Sequence, residues 1–384
     1  MKKLTLVACI AAAFGYSAAA QADGTAAPAA PSLGAVIAAT PGLSLTGYVA
    51  TSYTHFDTTP ALRAFDGVKN GFTLNQAALT ASYLPSSGAG ASVTVIGGND
   101  AQVLRSTETW PLGTPGAEPQ VDIANAYAQY AVGNLTVQAG KFWTLAGAEV
   151  ANPTSNNEIS RSLLFWNMEP GLHTGVRAAY SVGAPLTVTV GVNNGFNFTS
   201  SPTVNGSTLS KTLELGASGT PNKMFSYSAA FYSGASPLFG EAAAGRLQLL
   251  DLVGTINATD ALSFSANVDA MQKQEYLGLG SGTGRATGIA LYANYALNDK
   301  ITLAARGEYI SDGDGIVTAN SGADSAFAWG TSNKLKELTL AVGYAPVNGL
   351  KLSAEVRQDK SDVAIFSGGV STQNSVALQA AYAF

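Results

Sequence analysis

The sequence predicts an all-β protein: a transmembrane, antiparallel, up-and-down β-barrel of about 16 strands, with short periplasmic turns and long extracellular loops. Three observations carry this expectation. From Leu43 onward the dominant hydrophobic period is two, and helical periodicity is almost absent. The alternating segments run to about ten residues, the length a tilted strand needs to cross a membrane. The connections between them are alternately short and long through the chain, a rhythm that a soluble sandwich of sheets has no reason to keep.

The segments fall near 43–56, 70–84, 90–98, 121–132, 134–144, 172–182, 185–196, 210–219, 224–234, 246–257, 261–273, 285–297, 300–311, 334–345, 349–360 and 374–384. In the first, Leu45, Gly47, Val49, Thr51 and Tyr53 share one face. At 185–194, Leu186, Val188, Val190 and Val192 oppose Thr187, Thr189, Gly191 and Asn193. At 261–270, Leu262, Phe264, Ala266 and Val268 oppose Ser263, Ser265, Asn267 and Asp269. At 349–358, Leu350, Leu352, Ala354 and Val356 oppose Lys351, Ser353, Glu355 and Arg357. Such alternation means one apolar face and one wet face. The segments 70–84 and 246–257 are less regular, and Gln76 or Asp251 is expected to mark a bulge. Long connections are expected near 57–69, 99–120, 145–171, 197–209, 235–245, 274–284, 312–333 and 361–373. With both ends of the barrel at the short-turn side, the strand number is even, and about 16 strands leave a lumen where eight would be filled by side chains.

The first residues read differently. Met1-Lys2-Lys3, an apolar run from Leu4 to Phe14 and the small-residue tail "SAAAQAD" form a secretory signal peptide over 1–22, cleaved after Ala20-Gln21-Ala22. Residues 23–42 are an Ala/Pro-rich linker, and 43–384 form the barrel. Cys9 is the only cysteine, so the mature chain has no disulfide to hold it. The chain is 46 % hydrophobic and 12 % charged, and no run after the signal peptide is long enough for a spanning helix. A net charge of −5 excludes a generic nucleic-acid binder.

The stretch 122–180 carries a denser pattern: Ala126-Tyr127, Ala139-Gly140-Lys141-Phe142, Gly147-Ala148-Glu149, Asn156, Ser160-Arg161-Ser162, Pro170, His173-Thr174-Gly175-Val176 and Tyr180. Together with "GYVATSYTHF" (47–56) and the terminal Phe384, it resembles the OmpL-like beta-barrel porin family. The resemblance implies an outer-membrane porin of a Gram-negative bacterium, giving passive diffusion of small hydrophilic solutes through a water-filled barrel, with no cofactor and no metal. The expected partners are outer-membrane lipid, small hydrophilic solutes or ions and the outer-membrane assembly machinery. A homotrimer is one open assembly state, because alternating Leu, Val and Ala offers no distinctive lipid-facing patch.

In porins of 16 strands the third loop commonly enters the lumen, so resemblance to that architecture makes 145–171 the constriction candidate. It carries Glu149, Glu158, Arg161 and Glu169, with Phe165-Trp166 as apolar anchors to the wall. Alternation puts His173 and Arg177 on the inward face of their strand, and Leu172, Val176 and Tyr180 outward. Arg306, Glu308, Lys351, Glu355 and Arg357 also fall on inward faces. Acidic loop groups facing basic wall groups across a narrow pore would set a transverse field that filters solutes by size and dipole. Both signs occur, so strong ion selectivity is not expected.

Aromatic residues near strand ends (Tyr53, Phe56, Tyr83, Phe142, Trp143, Tyr180, Phe196, Tyr232, Tyr309, Tyr344, Tyr382 and Phe384) suit interfacial girdles. Tyr382 and Phe384 also resemble the terminal signal that the assembly machinery reads. Enzymatic readings are weak: the only histidines are His55 and His173, with no thiol nucleophile or zinc spacing. "GLGSGTG" (278–284) reads as loop, and "DGDG" (312–315) as a solvated turn without the later ligands of a calcium loop. The linker of about 20 residues is too short for a plug, so energised import is not expected. Two alternatives to a porin are a structural or adhesive barrel whose loops bind a partner, and a barrel enzyme acting on lipid.

Overall fold

The structure, a computed structural model, describes residues 39–108, 118–200, 203–204, 207–208, 211–236, 245–276, 282–320, 331–366 and 369–384. The expected signal peptide and most of the linker lie outside the described residues. Sixteen strands form one closed antiparallel barrel. They are β1 (Leu43–Phe56), β2 (Gly71–Tyr83), β3 (Gly88–Gly97), β4 (Val121–Val132), β5 (Leu135–Trp143), β6 (Leu172–Gly183), β7 (Leu186–Asn193) and β8 (Thr212–Asn222). The circle continues with β9 (Phe225–Ala235), β10 (Arg246–Asn257), β11 (Leu262–Tyr276), β12 (Gly282–Ala296), β13 (Ile301–Asp312), β14 (Asn333–Val347), β15 (Leu350–Ser361) and β16 (Thr372–Ala383). Each expected segment has its strand, with ends within three residues of the predicted ones. Residues 203–204 and 207–208 make a small hairpin outside the barrel sheet.

The alternation explains the two faces. On β16, Val376, Leu378 and Tyr382 are about half exposed, while Ala377, Gln379 and Ala381 are buried. On β10, β13 and β15 the same rule sends Leu252, Leu303 and Val356 outward and Asp251, Arg306 and Arg357 inward. In water those outward rows would be a sticky surface; facing lipid, they are the expected face of a spanning strand. Closure removes the sheet edge and satisfies the backbone groups that lipid cannot.

The seam is the β1–β16 pair, which runs from Tyr48 opposite Ala383 to Phe56 opposite Ser375. Phe384 extends it by one step: its amide donates to the Gly47 carbonyl (2.9 Å), and the Gly47 amide donates back (3.0 Å). A Cβ at position 47 would lie 2.5 Å from Phe384 Cζ, so only glycine lets the terminal ring lie across β1.

Some expectations change. The bulge in 70–84 sits at Asn75, beside Gln76, where the β1–β2 register slips. Asp251 marks no bulge; β10 pairs without a break on both sides and Asp251 faces inward. The loop expected at 274–284 is shortened at both ends, because β11 continues to Tyr276 and β12 starts at Gly282; residues 277–281 lie outside the described residues. Phe56, Phe142, Phe196 and Tyr232 are buried inside the barrel and belong to no girdle, whereas Tyr180, Tyr309, Tyr344, Tyr382 and Phe384 are exposed on the outer face. Leu172 is buried as well, in an apolar cluster with Phe65, Ile96 and Leu104.

That cluster is one of two that lie inside the barrel, and both are built from loops packed on inward wall residues. Among the described residues the long connections carry three short α-helices, α1 (Asn99–Glu108), α2 (Leu163–Asn167) and α3 (Ile316–Asn320), and one 3-10 turn at Pro153–Ser155. Leu163, Leu164 and Met168 pack with Tyr232, Leu249, Ala290, Tyr292 and Ile310. A Cβ at Gly288 would meet Leu164 at 2.9 Å, so the bare backbone of β12 lets α2 approach closely. Asp312 of "DGDG" is committed to α3: it accepts from the Val317 and Thr318 amides (3.2 and 2.8 Å) and from the Thr318 hydroxyl (2.7 Å).

Candidate functional site

The third long connection, 144–171, leaves β5 and is held by strand after strand of the opposite wall. The Leu145 amide donates to the Tyr232 hydroxyl of β9 (2.9 Å), and the Ala148 amide to Asn267 Oδ1 of β11 (2.7 Å). Lys351 of β15 donates to the Asn156 carbonyl (2.7 Å). The Ile159 and Ser160 amides both donate to the Glu355 carboxylate (2.6 and 3.1 Å). The Leu163 and Leu164 amides, the free donors at the start of α2, donate to Glu308 (2.9 and 3.1 Å). A carboxylate from the wall thus completes the helix terminus, where backbone N–H groups point outward and the local potential is positive. Ser162 adds an N-cap, accepting from the Phe165 amide at 3.0 Å.

The charged wall residues form two rows. Glu308, Glu337 and Asp359 stand directly opposite one another across β13, β14 and β15. The next inward positions are Arg306, Thr339 and Arg357, again directly opposite. A row of like charges repels itself unless a row of the other sign lies alongside. Arg306 meets Glu337 at 3.2 Å, Glu308 at 3.4 Å and the loop's Glu149 at 2.7 Å. Arg357 meets Asp359 at 2.7 Å and Glu337 at 3.5 Å, and donates to the Arg161 carbonyl. Arg63 of the first loop joins the network through Asp359 (2.9 Å) and Asp66. Every side chain in these rows is buried.

Each expected site residue therefore has a place. Glu149, Arg306, Glu308, Lys351, Glu355 and Arg357 come together where the loop meets the wall, in direct contact rather than facing one another across water. Arg161 braces the loop from within, donating to the carbonyls of Val150 (2.7 Å), Ile159 (2.9 Å) and Ala151 (3.1 Å). Glu158 is buried beside this network, and one carboxylate oxygen has no hydrogen-bond partner. Burial, with Glu149 nearby and Arg306 opposing, pushes its carboxyl up to about 7. Burial likewise raises Asp100, at the start of α1, to about 8. Glu169 lies apart, against Asp251 and Asp269; burial and those two carboxylates raise it well above the ordinary range.

His173 and Arg177 are inward but engaged. His173 stacks on Tyr232 (4.7 Å between ring centres), with Nδ1 3.2 Å from the Gly195 carbonyl. Arg177 lies 4.0 Å over the Phe142 ring and donates to Gln138 (3.0 Å) and to the Trp143 carbonyl (3.1 Å). Phe165 and Trp166 are half-buried and pack on the apolar cluster that joins Phe65 of the first loop, at 6.0 and 6.3 Å between ring centres, to Ala78, Ile96 and Ala124 of the wall. Leu163, Leu164 and Met168 make a second apolar contact with the wall. Sequence reasoning missed Glu337 and Asp359, although the period-two rule puts both on inward faces. It also missed Arg63 and Asp66, which lie in a loop with no period to read.

The space beside the loop has a different lining. A cavity of about 770 Å³ is bounded by Phe165, Trp166, Trp143, Phe196 and Phe198 on the loop side, and by Tyr48, Thr80, Thr94 and Asn125 on the wall. Towards the short-turn end, a second space of about 520 Å³ is lined by hydroxyls, among them Ser181, Thr187, Ser218, Thr220, Ser226, Ser228 and Thr255.

Residues 42–384 match the model of the family described as "Putative beta-barrel porin-2, OmpL-like". The chain belongs to this porin family. No curated protein matches it. Solved structures share the fold at low identity. The outer membrane channel DcaP of Acinetobacter baumannii aligns with a TM-score of 0.61 at 16 % identity, over 89 % of this chain and 97 % of that one. An anion-selective porin from Comamonas acidovorans gives 0.62 at 12 %, over 89 % and 99 %. The trimer form of OmpT, an outer membrane protein of Vibrio cholerae, gives 0.59 at 12 %, over 89 % and 99 %. Family and fold together point to a channel, with passive diffusion through the barrel.

Proposed function

We propose that this porin is a diffusion channel narrowed by 144–171, passing small hydrophilic solutes with little preference between cations and anions. The observation that carries the reading is where the charges go. On the loop-bearing wall, acids and bases neutralise one another in buried contacts, leaving little net field for a permeating ion to feel. The space at the short-turn end is lined mainly by hydroxyls, and the space beside the loop mixes aromatic and aliphatic faces with hydroxyls, amides and the carboxylates of Glu149 and Glu169. The hydroxyl-lined part suits uncharged polar solutes. No catalytic step is assigned. Among the described residues neither histidine has a serine partner: His173 is held by Gly195 and Tyr232, and His55 is on the outer face of β1.

The channel would sit in the outer membrane of a Gram-negative bacterium, reached through the signal peptide 1–22. A homotrimer is the proposed assembly, supported by the trimer form of a structural neighbour. The test is a planar-bilayer recording on folded, heat-modifiable protein. Discrete conductance steps are expected, with a reversal potential near zero in a KCl gradient. Deleting 150–168 should enlarge the steps, and an unchanged conductance would remove the loop from the permeation path. The adhesive reading has one observation in its favour, the apolar clusters inside the lumen. It wins if well-folded barrels give no steps at all.

A further inference from the structure

One group of charges does not join the neutralised rows. Asp251 of β10 and Asp269 of β11 stand directly opposite each other in the barrel wall, and Glu169 reaches them from the returning end of 144–171. All three are buried, and one carboxylate oxygen from each lies within 4.8 Å of the others. Among the described residues no lysine or arginine forms an ion pair with any of them. Asp251 Oδ2 accepts from Asn267 Nδ2 (2.7 Å), whose own Oδ1 holds the Ala148 amide, but Asp251 Oδ1 has no hydrogen-bond partner. Asp269 is completely buried, is aimed into the cluster, and neither of its oxygens has a hydrogen-bond partner outside it.

Three carboxylates brought together without a cation face a large desolvation and repulsion penalty. Like charges directly opposite on neighbouring strands are destabilising even at a surface. The opposite wall shows how this chain meets the same problem elsewhere: there Arg306 and Arg357 lie between the acids. Here no base among the described residues lies between the acids, which leaves protons or a bound cation to neutralise them. We propose that Glu169, Asp251 and Asp269 bind one divalent cation of the Ca²⁺ type, which ties the end of the loop to β10 and β11.

The donor set is all oxygen and anionic, the set that hard divalent cations take, with water completing the shell. Two oxygens on one Ca²⁺ can be up to about 5 Å apart, twice a bond of 2.3–2.6 Å, and this set falls inside that span. Mg²⁺ demands near-ideal octahedral geometry and gives up its water reluctantly, so an all-protein cage of carboxylates suits the more tolerant Ca²⁺ better. The site stands or falls independently of whether the barrel conducts.

The test is calorimetric titration of CaCl₂ into the whole barrel, refolded in detergent free of lipopolysaccharide, with thermal unfolding followed in parallel. One Ca²⁺ per chain and a higher unfolding temperature are expected, with chelator reversing both. Asp269→Asn and Glu169→Gln should each weaken binding at least tenfold, while Asp299→Asn in an exposed turn should leave it unchanged. Glu169 is on the loop rather than in the sheet, so Glu169→Gln keeps the test informative if the strand variant fails to fold. The proposal is overturned if wild-type protein shows no saturable uptake, or if Asp269→Asn and Glu169→Gln bind Ca²⁺ as the wild type does. It is also overturned if acidification alone, with Ca²⁺ having no effect, raises the unfolding temperature, because protons would then be the neutralising charge.

Discussion

The lumen has two unlike regions. The wall of β13, β14 and β15 carries full charges that are buried and spent on contacts with the loop, whereas the short-turn end of β6 to β10 carries hydroxyls and almost no charge. The same inward-facing position thus serves docking in one region and passage in the other. Charge on a pore wall is therefore not in itself evidence of ion selection; what matters is whether the charge still faces water.

Four substitutions test this contrast, in order of decreasing effect. Arg306→Gln leaves Glu149, Glu308 and Glu337 buried together without their shared cation, which should cost about 3–5 kcal/mol in unfolding experiments. A change below about 1 kcal/mol would mean the rows are solvated after all. Next comes pH. Glu158 has its carboxyl raised from 4.5 to about 7 by burial, so folding stability should be greatest below pH 4.5, fall as pH rises towards 7, and then level off. The loss is on the order of 3 kcal/mol, and Glu158→Gln should flatten this part of the profile. On the hydroxyl side, Ser226→Lys should shift the reversal potential towards anions with little loss of stability; an unmoved potential would place that region off the permeation path. The smallest effect is expected of Thr187→Ala, within about 0.5 kcal/mol and with conductance unchanged.

Much of this contrast could be read in advance, for a simple reason. A period of two fixes both strand and face, so the neighbours of Glu308, Glu355 and Arg357 alone place these residues inward. The rule fails wherever the period is interrupted. The extra residues at Asn75 and at Ala124 move the side chains beyond them to the other face. It is silent in loops, so the partners of Glu149 and Arg161 could not be foreseen. Nor could the depth to which Leu163 and Leu164 drive into the barrel, because these contacts join residues roughly 70 to 150 positions apart.

The paired rows have one more consequence, for how the strands find their alignment. If β14 slid by a single residue against β13 and β15, Glu337 would turn towards hydrocarbon and Leu338 towards the lumen. If β13 slid instead, Arg306 would turn outward, and an arginine on the lipid face costs about 2–4 kcal/mol near the middle of the bilayer. The acid and base rows therefore act as a key for the hairpin alignment: a mispaired intermediate would be penalised by the membrane before the loop had docked at all.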